Sequence, residues 1–130
     1  MPGSQHEFES LSSTILGAAV SVHRELGAGY HESVYANALS VALTERGVPH
    51  HREHEVDLYF HGMHVGKHRL DLLVDDTIIL ELKAVEKVLQ LHHAQLNSYL
   101  KSTGKQIGLL LNFDAPILYM KRIVRTRTTK

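Results

Sequence analysis

Cysteine is absent from this chain of 130 residues, and with it any disulfide framework or thiolate metal site. Net charge is absent too, because fourteen Lys and Arg are balanced by fourteen Asp and Glu. A chain with no excess of either sign exerts no long-range pull on nucleic acid, so any grip on phosphates has to come from a local patch. No apolar run approaches the roughly 20 residues that span a bilayer, and the opening residues lack a charged-then-apolar leader. The expectation is a cytoplasmic chain without membrane contact. No repeat or low-complexity run occurs, and Gly27-Ala28-Gly29 lacks the downstream pattern of a dinucleotide loop.

Histidine is plentiful, with eleven in the chain. His50, His51, His54, His61, His64 and His68, with His92 and His93 later, follow no H-E-x-x-H or similar pair, so zinc is not expected. Imidazoles on an edge strand and its turns account for them, and they make surface charge vary between about pH 5 and 8.

With 43% hydrophobic residues and both helical and strand periods, the chain has the makings of one α/β domain. Residues 1–10 read as a flexible lead-in, 11–124 as the domain and 125–130 as a basic tail. A first helix starts near Ser10, Ser12 or Ser13 and carries Ile15, Ala18, Ala19, Val22 and Leu26 on one face. A second runs from His31 to Glu45 with Val34, Ala38, Val41 and Ala42 inward and Gly47 just past its end. Alternation over Val56, Leu58 and Phe60 predicts a strand turning at His61-Gly62. A third helix covers Leu89 to Ser102, Lys105 to Leu111 is a buried strand, and Ile117 to Ile123 is a last one. Lys121, Arg122, Arg125, Arg127 and Lys130 gather at the end, as a solvated tail or as phosphate contacts.

The stretch RLDLLVDDTIILELK, Arg69 to Lys83, reads as a β-hairpin. Leu70, Leu72 and Val74 alternate with Asp71 and Asp75, Ile78, Leu80 and Leu82 alternate with Glu81 and Lys83, and Asp75-Asp76-Thr77 makes the turn. Folding about Asp76 sets Asp71 opposite Glu81, and Arg69 opposite Lys83, on one face. Directly opposed carboxylates lie about 5 Å apart at Cβ and repel unless a cation neutralises them. Hard oxygen ligands favour Mg²⁺ or Mn²⁺. The alternative is an exposed strand face with Glu81 ion-paired to Lys83 or Arg69. Against it, the flanking runs are apolar enough for a strand buried on both sides, where an acid needs a partner.

Asp71 followed by Glu81-Leu82-Lys83 resembles the D…(D/E)xK signature of the PD-(D/E)xK nuclease superfamily, with Leu70 where the name puts proline. Gly29 to Tyr35 fits G-x-x-E-x-x-Y, and Gln95 to Tyr99 fits the Q-x-x-x-Y of RecB-like nucleases. Leu109 to Phe113 resembles the strand that follows. In this order they are similar to the GxxExxY protein family over Leu11 to Val124. The resemblance implies an αβββαβ core with a central mixed sheet flanked by helices, and a Mg²⁺- or Mn²⁺-dependent nuclease acting on nucleic acid, above all DNA. It implies Asp71, Glu81 and Glu32 as metal ligands, Lys83 as a further catalytic group, and Gln95, Tyr99, Tyr35 and His92 as substrate-positioning residues. A catalytically silent binding module on the same fold, as a homodimer, is the other reading. Without the resemblance, Glu32 is equally a first-turn acid favoured by the helix dipole, and the His92, Gln95 and Tyr99 stripe is equally the rim of a core helix.

Overall fold

A computed structural model describes residues 5–125. Two helices, α1 (Gln5–Leu26) and α2 (Glu32–Glu45), precede three strands, β1 (His50–Phe60), β2 (Met63–Val74) and β3 (Ile78–Lys83). Helix α3 (Gln90–Thr103) then crosses to β4 (Ile107–Asn112), and β5 (Tyr119–Val124) ends the chain. The sheet order is β1-β2-β3-β4-β5. Only β3 and β4 run parallel among these neighbours, because α3 carries the chain back between them; the other pairs are antiparallel. The expected α/β domain with a central mixed sheet is what forms.

Each hairpin turn shows its cause locally. His61 and Gly62 have φ of 51° and 79°, and Asp75 and Asp76 have 49° and 56°, which are left-handed conformations that Gly, Asn and Asp tolerate best and that suit the twist of the flanking strands. The β1–β2 hairpin outruns β3, and Tyr59, Phe60, Met63 and Val65 near its tip are exposed.

The sheet is covered on both faces. Ile15, Ala18, Ala19 and Val22 of α1 and Tyr35, Leu39 and Leu43 of α2 pack on Leu72, Leu80, Leu82 and Leu109. Leu96, Tyr99 and Leu100 of α3 pack on the other face against Leu73, Ile79 and Leu110. Helix α1 starts at Gln5, earlier than the serines suggested, so Ser10 to Ser13 lie inside it. The inward face of α2 is as expected at Ala42, which is buried, and at Ala38, which packs on the core, but Val34 and Val41 are exposed and the stripe runs through Tyr35, Leu39 and Leu43 instead. A sequence rich in alanine leaves that face under-determined, and the larger Tyr and Leu side chains win the core.

Helix α3 sits close to the sheet because Gly108 faces it. A Cβ built on Gly108 would stand 2.7 Å from Cδ1 and 2.9 Å from Cγ of Leu96, a fully buried side chain with nowhere to turn. Gly108→Ala should therefore cost about 1–3 kcal/mol of stability through overpacking. Urea unfolding checks this; an unchanged midpoint would mean that α3 rides higher than described.

Candidate active site

The β2–β3 ladder pairs Leu72 with Leu80, Leu73 with Ile79 and Val74 with Ile78, the register expected, which brings Asp71 level with Glu81. Past Leu72 the strands part, and the Asp71 carboxylate fills the gap: its Oδ2 accepts the Leu82 backbone N–H at 2.7 Å. Strict alternation breaks here. Leu70 packs on the α3 side, whereas Leu72 and Val74 pack on the α1–α2 side. Across on β1, Glu53 lies between the paired residues Arg52 and His54 with a left-handed φ of 52°. Such a conformation costs a non-glycine residue roughly 1–3 kcal/mol. At this rung β2 switches the faces of its side chains while β3 and β4 keep theirs, and Asp71 is freed from the core.

Strand β3 runs through the middle of the sheet and carries Glu81 and Lys83 on the α3 side. Glu81 is 4% exposed. Lys83 Nζ stands 3.4 Å from Glu81 Oε2 and donates to Gln95 Oε1 at 3.2 Å. Burial, then the neighbouring charge of Asp71, pushes the Glu81 carboxyl up to about 8, with the Lys83 ammonium acting against both. Burial also raises Asp71, opposed by the Leu82 N–H. Tyr99, buried beside the same acids, is pushed up to about 12, by burial first and then by the charges of Glu81 and Asp71.

Glu81 Oε1 is buried and meets no protein N–H or O–H donor; its neighbour is the Asp71 carboxyl, with which Glu81 shares a hydrogen bond only while one of the two acids keeps its proton. An orphaned carboxylate oxygen next to a second carboxylate is a donor set for a hard divalent cation, and Mg²⁺ takes only one or two carboxylates. The residues present fit such an ion. Among the described residues, however, no three His, Cys, Asp or Glu side chains gather closely enough to hold a metal. Glu32 stays at some remove, half-buried in the first turn of α2, where it lines a cavity of about 320 Å³ together with Asp71 and Leu82.

Gln95 meets Lys83 from α3, and Tyr99 lies buried one turn on, beside the same acids. His92 caps the same helix, its Nδ1 accepting the Leu89 N–H at 3.0 Å. Burial lowers its pKa, helped by the charge of Lys83 and opposed by that of Glu32. Tyr35 does not reach the cleft. It is fully buried, stacked on Phe113 with ring centroids 4.6 Å apart, and its hydroxyl donates to Gly27 O at 2.6 Å and accepts Tyr30 N–H at 3.2 Å. It braces the loop that leads into Glu32.

Three residues here escaped the sequence reading. Arg52 and Glu53 enter through β1, a strand that was assigned no function. Asn112, just past the strand expected over Lys105 to Leu111, ends β4 nearly fully buried; its Oδ1 accepts Val85 N–H at 3.0 Å and its Nδ2 donates to Val85 O at 2.8 Å. It clamps the segment that leaves Lys83. A polar residue closing an apolar run was the available signal. Of the basic C-terminal positions, Arg127 and Lys130 lie outside the described residues, as do residues 1–4 of the lead-in.

The model of the PD-(D/E)XK nuclease superfamily matches residues 9–125. Among solved structures, the fold is similar to that of SSO0001, with a TM-score of 0.60 and 20% identity over 74% of this chain and 50% of that one. It is also similar to an alkaline exonuclease, LHK-Exo, from Laribacter hongkongensis, with a TM-score of 0.53 and 18% identity over 72% of this chain and 56% of that one. The chain thus spans about half the length of these structures. No curated protein matches the sequence. Among the described residues, no helix is long and apolar enough to cross a membrane.

Proposed function

The chain belongs to the PD-(D/E)XK nuclease superfamily, and from that premise we propose that it is a divalent-metal-dependent phosphodiesterase that cuts DNA. Asp71, Glu81 and Lys83 form its centre. The observation that carries this reading is the pair of neighbouring carboxyls, Glu81 buried in the middle strand with one oxygen facing no N–H or O–H donor and Asp71 beside it, with Lys83 against the other oxygen. The G-x-x-E-x-x-Y at Gly29 to Tyr35 and the Q-x-x-x-Y at Gln95 to Tyr99 support a place in the GxxExxY branch, with RecB-like features.

Asp71 and Glu81 would hold Mg²⁺ or Mn²⁺, with Glu32 joining from α2. A bound ion of this kind supplies Lewis acidity toward phosphoryl oxygens and makes water easier to deprotonate. Lys83, steadied by Glu81 and Gln95, orients the attacking water or offsets charge that develops on the phosphate. Gln95 keeps that ammonium aimed, and Tyr99 walls the site as a neutral phenol. His92 lies where a substrate strand would pass, with Nε2 free of its cap.

The test uses supercoiled plasmid and labelled single-stranded DNA with Mg²⁺, Mn²⁺ or EDTA. Cleavage is expected with either ion and loss of at least about 10³-fold with EDTA, the scale of a lost metal. The second reading is a silent binding module on the same fold, as a homodimer, and the lack of a gathered three-ligand cluster among the described residues favours it. In that case Mn²⁺ titration releases no heat and shifts no melting temperature.

A further inference from the structure

The cavity on the α2 side of Asp71 holds two cations that the proposed chemistry does not use. Arg52 from β1 and Arg69 from β2 line it, with Glu53 between them and Glu32 facing them from α2. Arg52 is steadied through Nη1 by the side chain of Asn37 on α2. Arg69 is held more loosely: its Nη2 lies 4.0 Å from Glu53 Oε2, and its side chain is 66% exposed. Glu53 reaches this position from a left-handed backbone, directly across from Asp71. The rung that frees Asp71 therefore also turns a carboxylate toward Arg69.

We propose that this cavity is the subsite for a backbone phosphate next to the scissile one, with Arg69 and Arg52 as its ligands and Glu53 as the residue that aims Arg69. The inference rests on the phosphodiesterase reading and deepens it, because it assigns the strand's path: away from Lys83 and Gln95, past Asp71, toward β1 and α2. Planar guanidinium forks match phosphate in a way that a lysine does not. A chain of zero net charge needs such a local grip. Glu32, Glu53 and Asp71 place three carboxylates around the two guanidiniums. Phosphate then enters only when a divalent cation offsets the acids, so substrate binding is coupled to the metal. The contact reads backbone and not bases, so it is indifferent to sequence.

A fluorescein-labelled 12-nucleotide single strand, titrated by anisotropy in Ca²⁺ at several salt concentrations, tests the subsite without turnover. Arg69→Ala and Arg52→Ala should each weaken binding by about 5- to 30-fold and flatten the slope of log K against log salt by about 0.7, the value for one lost phosphate contact on a single strand. Arg69→Lys should restore the slope but only part of the affinity. In Mg²⁺ turnover, KM should rise in both alanine variants while kcat stays within about 3-fold, since uniform binding has been removed. Lys67→Ala, on the same hairpin but paired with Glu55 at 3.6 Å, serves as the unaffected control. Circular dichroism separates a folded Arg52→Ala from one that has lost its tie to α2. An enzyme that cuts DNA while Arg69→Ala keeps its slope and KM would refute the subsite and leave the nuclease standing. A wild-type protein that neither binds nor cuts would remove both.

Discussion

Lys83→Met should lower DNA cleavage at saturating Mg²⁺ by about 10²–10³-fold, and Asp71→Asn by at least as much, with both proteins folded. The choice of substitutions follows from the contacts. Lys83 is 15% exposed and bonded to Glu81 and Gln95, so methionine keeps its stem packed while removing the charge. Asparagine at Asp71 can still accept the Leu82 N–H through its carbonyl oxygen, whereas alanine would orphan that buried donor at a cost of about 1–3 kcal/mol. A loss of activity in Asp71→Asn with an unchanged melting temperature then reports charge at the site and not collapse of the hairpin. Mn²⁺ calorimetry divides the two roles: Asp71→Asn should lose the binding heat, and Lys83→Met should keep it. Activity that survives both substitutions would place the chemistry elsewhere on the fold.

The hairpin was legible because its information is local. Period-two apolar residues and a polar turn fix the register, and the register alone brings Asp71 level with Glu81. The core face of α1 was legible for the same reason. What failed depended on partners distant in sequence. The slip in alternation at Asp71 coincides with the left-handed backbone of Glu53 on another strand, and nothing near Asp71 in the chain announces it. Tyr35 illustrates a different gap. Its motif marks importance without saying whether the ring meets substrate or core, and only the stack on Phe113 and the bond to Gly27 settle its place. For a third reason Arg52 was invisible, and Arg69, expected across from Lys83, lines the α2-side cavity beside Glu53. Spacing cannot show that two strands and a helix turn their edges toward one space.

In EDTA, the native protein should lose stability as pH rises from about 6.5 to 8, and Glu81→Gln should not. Burial and the adjacent Asp71 lift the folded carboxyl from 4.5 to about 8. Between those values the folded protein keeps a proton that the unfolded chain has released. A group raised in this way contributes stability that is complete below the unfolded value and is lost as pH climbs through the folded one. The loss accumulates with pH inside that window and levels off once the folded carboxyl has ionised. His68 and His92, both lowered by burial, act in the opposite sense below about 6.5, where the unfolded chain takes up protons that they refuse. The upper part of the range is free of the histidines and reports the coupled Asp71 and Glu81 carboxyls, of which the Glu81→Gln variant removes one. Thermal unfolding at constant ionic strength measures it, and the difference between native and Glu81→Gln should widen with pH in favour of the variant, by several degrees at pH 8. Mg²⁺ or Mn²⁺ should close that difference for the native chain alone, because a cation stabilises the ionised carboxylate that burial penalises. The same substitution that makes the metal-free protein hardier should thus abolish its cleavage, an opposition expected of an acid kept for a metal and not for the fold. A Glu81→Gln curve parallel to the native one across pH 6.5–8 would mean that this carboxyl is already charged and satisfied without an ion, and the metal-holding role would go with it.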